Sequence, residues 1–277
     1  MPFSAAVRTP GFEVVNLAEL RDRRARHPDR LHRLEFHTLS LVTAGRGRRE
    51  VDFDSCAAVP GTFLWVRPGQ VQRFDRDDTT QGWHVLFTAD FVSPVVQVSG
   101  LLDTWVPTSV RQTSIGSEQN ARLVRLCEQL ALEGGNGHPD AGVLQLLLAA
   151  LLLAAEHGSP VSARTGGADQ VHARFRRLLE QRFASDRSVE SYAALVGCSP
   201  RTLTRACHAA VGSSAKDVVD DRVALEARRL LAHTDLTVAA VGRRLGFEET
   251  TNFVKFFVRR TGTTPGTFRQ DATTPRG

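Results

Sequence analysis

Hydrophobic and polar positions alternate over short distances in the first third of the chain. Between residues 12 and 91, runs rich in β-branched and aromatic residues are separated by turn segments such as AGRGR and RPGQ. Short runs of this kind, bounded by Gly and Pro, are typical of strands. The pattern therefore predicts a small β-sandwich or barrel with strands at FEVVNL, FHTLSLV, EVDF, TFLWV and WHVLF.

From about residue 117 the period of the hydrophobic positions becomes helical. Ser117 is placed to cap a helix through RLVRLCEQLAL, and the segment GGNGHPD interrupts it. The next helix, AGVLQLLLAALLLAAEHG, is apolar nearly all round, so more than one of its faces must be covered. These faces could be covered by a second copy of the protein or by packing within the chain, and the sequence leaves both alternatives open.

A small, polar, Gly-rich segment, GSPVSARTGGADQ, has the composition of an interdomain linker, and the chain after it shows only helical patterns. The sequence thus predicts an α+β protein of two domains. The predicted parts are a β-barrel at 1–110, a helical dimerisation or packing segment at 111–157, a linker at 158–168 and an all-α domain at 169–277.

The all-α domain contains an internal repeat. Gly197 matches Gly246 at a separation of 49 residues and, after one inserted residue, Gly212 matches Gly262 at 50. Each copy has the pattern helix, glycine-containing turn, helix. This predicts two helix-turn-helix units at about 188–212 and 237–262.

Helix-ending residues stand at matching places in the two units. Ser188 and Thr237 are placed to cap the first helices, and Ser199 caps the second helix of the first unit with Pro200 at its first position. The glycine of each turn tolerates the positive φ that commonly ends a helix. Helix-turn-helix units place their second helix in the major groove of DNA.

The outward faces of the two second helices carry residues that suit DNA. Arginine can bridge guanine O6 and N7, and threonine offers a hydroxyl and a methyl group. Solvated surface residues are the plain alternative. The predicted DNA-binding residues are Arg201, Thr202, Thr204, Arg205, Thr250, Thr251, Asn252, Lys255, Arg259 and Arg260, the last two as phosphate contacts.

Residues 215–232 between the units read as one long helix. Eighteen residues span about 27 Å, which approaches the ~34 Å between successive major-groove faces on one side of DNA. One chain is therefore expected to reach two adjacent major grooves.

Charge supports this division of labour. Residues 1–167 carry 17 Lys and Arg against 18 Asp and Glu, a net charge of −1, whereas residues 168–277 carry 18 against 12, a net charge of +6. The all-α domain is thus the part suited to a polyanion.

The four cysteines form no CxxC pair and no zinc-like cluster, which favours a reducing cytoplasm. The N-terminus has no hydrophobic signal core, and the longest apolar run, from Val143 to Ala155, is too short to span a bilayer. We therefore expect no membrane partner.

The segment ARRLLAHTDLTVAAVGRRLGFEETTNFVKFFVRRTGTTPGTFR resembles the signature of the AraC/XylS family of bacterial transcription regulators. The resemblance covers about residues 170–270. It implies a seven-helix DNA-binding domain, double-stranded DNA and RNA polymerase as partners, and usually activation of nearby promoters. Two residues depart from the family pattern: Cys207 replaces a large aromatic residue, and Val254 replaces a polar, base-contacting one. The second unit is thus expected to read fewer bases than the first.

The N-terminal domain resembles the family's cupin-like sensor barrel through FHTLSLVTAGRGR and PGTFLWVRPGQVQRF. His37 has no histidine two residues away, and Gln72 stands where metal-binding cupins have a ligand, so we expect no metal and no cofactor. The resemblance implies a small organic effector. The predicted effector-binding residues are His37, Trp65, Gln70, Gln72, Trp83 and His84, each of which is equally consistent with packing.

The leading hypothesis is an effector-responsive, sequence-specific transcription regulator, an activator and a homodimer, and not an enzyme. One alternative is a cupin-type metal enzyme with a DNA-binding appendage. Another is a redox-sensing regulator that uses Cys198 and Cys207.

Overall fold

The chain divides into two compact units, an N-terminal unit of residues 1–162 and a C-terminal unit of residues 163–277. The boundary falls inside the predicted linker, most of which lies outside the described residues, while residues 167 and 168 already belong to a helix. The computed structural model describes residues 9–24, 31–75, 77–92, 102, 109–156 and 167–273.

The N-terminal unit combines nine strands with four helices in its described part. The strands are β1 (Phe12–Asn16), β2 (His32–Arg33), β3 (His37–Ala44), β4 (Gly47–Val51), β5 (Asp54–Ala58), β6 (Thr62–Val66), β7 (Val71–Phe74), β8 (Gln81–Phe87) and β9 (Ser109–Gln112). The helices are α1 (Leu17–Arg24), α2 (Ala89–Val92), α3 (Glu118–Gly135) and α4 (Ala141–Glu156).

The strands form two antiparallel sheets in the orders β1-β8-β3-β6-β9 and β2-β7-β4-β5. Side chains from both sheets, such as Leu64 and Phe74, fill the space between them. Because successive strand residues point to opposite faces, the alternate residues Leu39 and Trp65 lie on the other face of the larger sheet. There they pack against α3 and α4. This barrel-like arrangement confirms the predicted fold class.

One predicted strand, EVDF, was placed too late in the chain. The strand β4 ends at Val51, which pairs with Asp54, and the two residues between them have positive φ angles of 51° for Asp52 and 75° for Phe53. A two-residue hairpin loop of the commonest type needs positive φ at both positions. Asp52 also accepts hydrogen bonds from Val71 N at 3.2 Å and Gln70 Nε2 at 2.6 Å, which stabilise the turn.

Other elements were not predicted at all. The strands β2, β5 and β7 and the helix α1 lack a strong hydrophobic period. The strands β2 and β7 pair with each other over a long stretch of chain, whereas β5 pairs with β4 across the hairpin turn. The strand β9 pairs with β6 and so extends the sheet across the predicted limit of the barrel at residue 110. The helical segment begins later, at Glu118, where Ser117 caps α3 as predicted by accepting from Asn120 N at 3.1 Å.

The apolar helix α4 is covered on one side by its own unit. Leu144, Leu148 and Leu152 are buried against α3 and the larger sheet. Leu146 and Leu153 remain 61% and 43% exposed. Packing within the described part of the chain therefore covers only part of the helix. None of the described helices has the length and apolarity needed to cross a membrane.

The C-terminal unit contains seven helices in the part that the structure describes, the number that the family resemblance implied. They are α5 (Gly167–Arg182), α6 (Val189–Val196), α7 (Pro200–Val211), α8 (Ala215–His233), α9 (Val238–Arg244), α10 (Thr250–Thr261) and α11 (Pro265–Thr273).

The helix α8 joins the two helix-turn-helix units and enters the core of each. Near its beginning, Val218 and Val219 pack with α5, α6 and α7. Further along, Ala227 and Leu231 pack with α9 and α10. The predicted long helix is thus present, and it holds both units on one rigid element.

The two turn glycines have the same backbone conformation and different surroundings. A Cβ on Gly197, which has a φ of 83°, would meet no heavy atom within 4 Å beyond its chain neighbours, whereas a Cβ on Gly246, with a φ of 74°, would meet Ala184 O at 2.7 Å.

We predict that Gly197→Ala lowers the free energy of unfolding by roughly 1 kcal/mol, the cost of the left-handed conformation. Gly246→Ala should lower it clearly more, because the new methyl group also clashes with backbone.

Calorimetry of the full-length protein checks this difference. The measured quantity is the Tm of the transition in which the C-terminal unit unfolds. Gly197→Ala serves as the matched control. Equal decreases in Tm for the two variants would contradict the proposed clash.

Candidate DNA-binding surface

The helix α7 presents the predicted DNA-binding face of the first unit. Ser199 caps it by accepting from Thr202 N at 3.1 Å, and Pro200 is its first residue. Arg201 and Arg205 are exposed and Thr204 is half-buried on the same outer face. These three side chains lie near the N-terminal end of the helix, the end that reads bases in helix-turn-helix proteins.

Thr202 has a second role in this turn. Its hydroxyl lies 2.9 Å from Ser199 Oγ, within hydrogen-bonding distance. The side chain therefore helps to form the cap while remaining only half-buried.

The inner face of α7 anchors the helix. Leu203 and Cys207 are fully buried in a cluster with Phe175 and Tyr192, whose rings meet edge to face at 5.4 Å. The Tyr192 hydroxyl donates to Asp186 O at 2.9 Å. Cys207 thus fills the position of the family's large aromatic residue within a core that neighbouring aromatic rings complete.

The helix α10 presents the corresponding face of the second unit. Thr250, Thr251, Asn252 and Lys255 are all exposed, while Val254 is half-buried. Glu249 stands at the N-cap position without a side-chain hydrogen bond to the helix. The two recognition helices therefore differ at their ends: the first is capped by a hydroxyl and the second is not.

Aromatic packing supports α10 from below. Phe253, Phe256 and Phe257 are buried, and the Phe247 ring lies 5.3 Å from Phe253 and 5.1 Å from Phe256. The Arg187 guanidinium covers the Phe247 ring at 3.9 Å and donates to the backbone of the turn, Gly246 O, at 2.9 Å. The exposed polar face is therefore carried by a rigid base.

The two arginines at the end of α10 differ in their surroundings. The Arg259 side chain is 69% exposed and lies 3.9 Å from Asp220. The Arg260 side chain is only 20% exposed, and it forms ion pairs with Asp217 and Asp221 on α8. Arg259 is thus open to a phosphate, whereas Arg260 is engaged within the protein.

A polar groove runs between the beginning of α8 and the exposed side of α10. Four cationic side chains surround it, two of which, Arg187 and Lys216, were not among the predicted contacts. The groove is lined by Arg187, Lys216, Asp220, Phe247, Asn252, Lys255, Phe256 and Arg259.

The predicted effector-binding residues of the N-terminal unit fall on different surfaces of its two sheets. His37, Trp65 and Trp83 lie on the helix-facing side. His37 Nδ1 accepts from Trp65 Nε1 at 3.1 Å, and its ring stacks on Phe87 at 4.9 Å. Burial, with a contribution from Arg67, lowers the pKa of His37 to about 3, so its ring is neutral near pH 7.

His84 of the larger sheet and Gln72 of the smaller sheet instead face the barrel interior, on the same sides of their strands as the core residues Leu86 and Phe74. His84 Nδ1 is 2.7 Å from Ser40 Oγ. Thr38, two residues before Ser40 on the same face, is buried, and its hydroxyl has no hydrogen-bond partner among the described residues. Sequence reasoning missed Thr38 and Ser40, although alternation within FHTLSLV places them together.

Gln70 has a local structural role. Its amide nitrogen donates to Asp52 Oδ2 at 2.6 Å, and its Oε1 accepts from Arg67 N at 2.8 Å. Both contacts stabilise turns, so of the six predicted residues only Gln72 and His84 share the barrel interior. In the described part of the chain, no cluster of three or more His, Cys, Asp or Glu side chains could hold a metal ion.

The four cysteines are free thiols. Cys198 is half-buried, whereas Cys207 is buried, and that burial raises the pKa of its thiol to about 11. A thiol with so high a pKa is almost entirely protonated near pH 7, and the thiolate is the reactive form.

Two helix-turn-helix units on one shared helix, together with a barrel whose mainly apolar interior also holds the polar groups of Ser40 and His84, define a two-domain DNA-binding regulator. Residues 15–167 match the model of the AraC-like ligand binding domain, and residues 192–271 match that of a helix-turn-helix domain. The chain belongs to the AraC family of transcription regulators.

Individual relatives cover most of the chain. The HTH-type transcriptional activator RhaS from Enterobacter sp. (strain 638) is 27% identical over 247 residues, 86% of this chain and 87% of that protein. RhaS from Escherichia coli (strain K12 / DH10B) is 25% identical over 244 residues, with the same coverage. The structure of ToxT from Vibrio cholerae matches 95% of this chain and 100% of its own at 8% identity, with a TM-score of 0.48.

Proposed function

We propose that this protein is a transcription activator that binds two adjacent major-groove segments per chain and responds to a small organic effector. The observation that carries the proposal is the pair of recognition helices held on α8, each with an exposed polar face. The RhaS relatives, named as transcriptional activators, support the direction of regulation.

The geometry of α8 supports binding to successive grooves. Its 19 residues span about 28 Å at 1.5 Å per residue. Because its two ends lie in the cores of different units, the recognition helices move with it as one body. Two grooves on the same side of DNA, ~34 Å apart, suit such an arrangement.

The two helix-turn-helix units have different proposed roles in binding DNA. Arg201, Thr204 and Arg205 are the proposed base-reading residues of the first unit. In the second unit, Thr250, Thr251, Asn252 and Lys255 face the groove, and the half-buried Val254 reduces what this helix can read. Arg259 is the proposed phosphate contact there, because its charge is exposed.

The barrel interior is the proposed effector site. Gln72, His84 and Ser40 offer hydrogen-bonding groups there, and the buried Thr38 hydroxyl is left without a partner in the described structure. Buried polar groups are normally hydrogen-bonded. A hydroxyl or carbonyl group of an effector would supply the missing partner.

The exposed stripe of α4 supports a homodimer. Leu146, Ala150 and Leu153 follow one another at the spacing of a single helix face, and all three are exposed. Beside this stripe, Leu126 of α3 lines an apolar groove with Ala150 and Leu153. A second copy that packs the same stripe in antiparallel or parallel fashion would remove this surface from water.

We further propose that the protein acts in the cytoplasm and contacts RNA polymerase. Its free thiols suit a reducing compartment, and activation of a promoter requires contact with the transcription machinery. The two alternatives have less support. No described cluster suits a metal, and the high pKa of Cys207 disfavours a thiolate sensor in the first unit.

We predict that Arg205→Ala relaxes base preference at one position of a site selected from random DNA. The expected loss of discrimination is about 1–3 kcal/mol, the contribution of a bidentate arginine–guanine contact. Binding of the full-length protein to single-base variants of the selected site measures it. Arg48→Ala, which removes an exposed arginine of the sensor unit, is the control. Unchanged preference in both variants would reject the assignment of this face.

We predict that Thr38→Val abolishes the thermal stabilisation by an effector without lowering the Tm of the ligand-free protein. The substitution removes a hydroxyl that has no described partner, so ligand-free folding loses no hydrogen bond. A thermal-shift panel of sugars, polyols and carboxylic acids provides the measurement. Thr80→Val is the contrasting control, because Thr80 Oγ1 lies 2.5 Å from Asp78 Oδ1 and its loss should lower the Tm. An unaltered thermal shift in Thr38→Val would place the effector elsewhere.

We predict that the double variant Leu146→Glu/Leu153→Glu is monomeric. Charges on the exposed stripe of α4 would have to be buried in the dimer, which is costly without partners. Sedimentation equilibrium measures the oligomeric state. Ile115→Glu, which changes an exposed apolar residue outside the stripe, should remain dimeric. A dimer that survives the double substitution would contradict the proposed interface.

A further inference from the structure

Three aspartates on the first two turns of α8 face the end of the second recognition helix. Asp220 is buried, and it is paired with Lys216 Nζ at 2.5 Å and lies 3.9 Å from Arg259. Asp217 and Asp221, one turn apart, are both paired with Arg260. Negative charge beside a DNA-binding face repels phosphates unless it is neutralised, so these pairs need a structural explanation.

The geometry of Arg260 is that of a fork between two carboxylates. Its Nη1 donates to Asp217 Oδ1 at 3.0 Å, and its Nη2 donates to Asp221 Oδ1. Both acceptors belong to α8, whereas Arg260 belongs to α10. With one-fifth of its side chain exposed, Arg260 is already occupied on the side that faces α8.

The partner Asp217 is built into the first unit. Its backbone nitrogen donates to Ser214 Oγ at 3.1 Å, and the Ser214 hydroxyl donates to Asp217 Oδ2 at 2.6 Å, which together cap α8. Hydrogen bonds from Ser214 and Arg260 lower the pKa of the Asp217 carboxyl, so it stays ionised. The neighbouring Ala215 and Val218 lie in the core of the first unit. The pair of Arg260 and Asp217 therefore links the second recognition helix to the first unit.

We propose that Arg260 is a positioning residue that fixes the second recognition helix relative to the first and thereby sets the spacing of the two DNA segments. The inference rests on the proposed two-groove binding and deepens it. It assigns Arg260 a role different from the phosphate contact expected from sequence. Arg259, one residue earlier and largely exposed, keeps the phosphate role.

The expected size of the effect is modest, because partly exposed ion pairs contribute little individually. Loss of the fork should weaken binding to a correctly spaced site about fivefold, in line with the upper range for such pairs. The diagnostic quantity is the spacing penalty. We define it as the ratio of the affinities for the selected site and for the same site with one base pair inserted between its two segments.

The test compares the full-length wild-type protein with Arg260→Gln, with the double variant Asp217→Asn/Asp221→Asn and with Arg260→Lys. Arg259→Gln is the matched control, because it removes the same charge from the adjacent residue. Each protein is titrated with both DNA sites at several salt concentrations. Circular dichroism and thermal unfolding establish that each variant is folded.

A positioning role predicts that Arg260→Gln and the double aspartate variant both weaken binding to the selected site and reduce the spacing penalty about fivefold. The slope of affinity against salt stays unchanged in Arg260→Gln. Arg260→Lys, with one point charge in place of a fork, recovers part of the penalty. Arg259→Gln lowers the salt slope by about one phosphate contact and leaves the spacing penalty unchanged.

A phosphate role for Arg260 predicts a different set of results and would overturn the inference. Removing the two aspartates would then release Arg260 toward DNA and strengthen binding, and Arg260→Gln would lower the salt slope by about one. An unchanged spacing penalty in folded Arg260→Gln would also overturn the inference. Failure of the proposed function looks different, because the wild-type protein would then select no two-segment site.

Discussion

The helix α8 must belong to two hydrophobic cores at once, and the architecture of the DNA-binding unit depends on this constraint. Val218 and Val219 serve the core of the first unit, and Ala227 and Leu231 serve that of the second. A continuous helix has a fixed rise and rotation per residue. The distance and angle between the two recognition helices are therefore set largely by where each core meets α8, and a change in either core is transmitted to the other unit.

Charged side chains refine this framework. Arg222 of α8 donates to Glu180 of α5 at 2.8 Å and to Glu226 at 3.2 Å, and its guanidinium covers the Phe183 ring at 3.7 Å. Buried ion pairs of this kind add little net stability, but breaking one leaves an uncompensated charge, which is costly. The fork of Arg260 onto α8 involves two other residues of the same helix, Asp217 and Asp221. Directional polar contacts thus complement a hydrophobic core that has no directional preference of its own.

In the sensor unit, a single sheet has two different environments. Residues of β3 and β8 alternate between the barrel interior and the surface beneath α3 and α4. Ser40 and His84 therefore face the mainly apolar barrel interior, while their neighbours Leu39 and Val85 connect the sheet to the helices. Because α4 bears both this contact and the exposed stripe of leucines, the proposed effector site and the proposed dimer interface are joined by one sheet and one helix.

The sequence by itself determined the features that depend on neighbouring residues. The caps at Ser188, Ser199 and Thr237, the turn glycines and the buried aromatic face of α10 follow from local backbone chemistry and the helical period, and the structure confirms them. Only the tertiary structure decided which predicted effector residues face the barrel interior, where the short strands pair and what Arg260 contacts. Arg260 lies 39 and 43 residues from its two partners in the chain. No local pattern specifies such a pair, because it forms only after both cores have packed on α8.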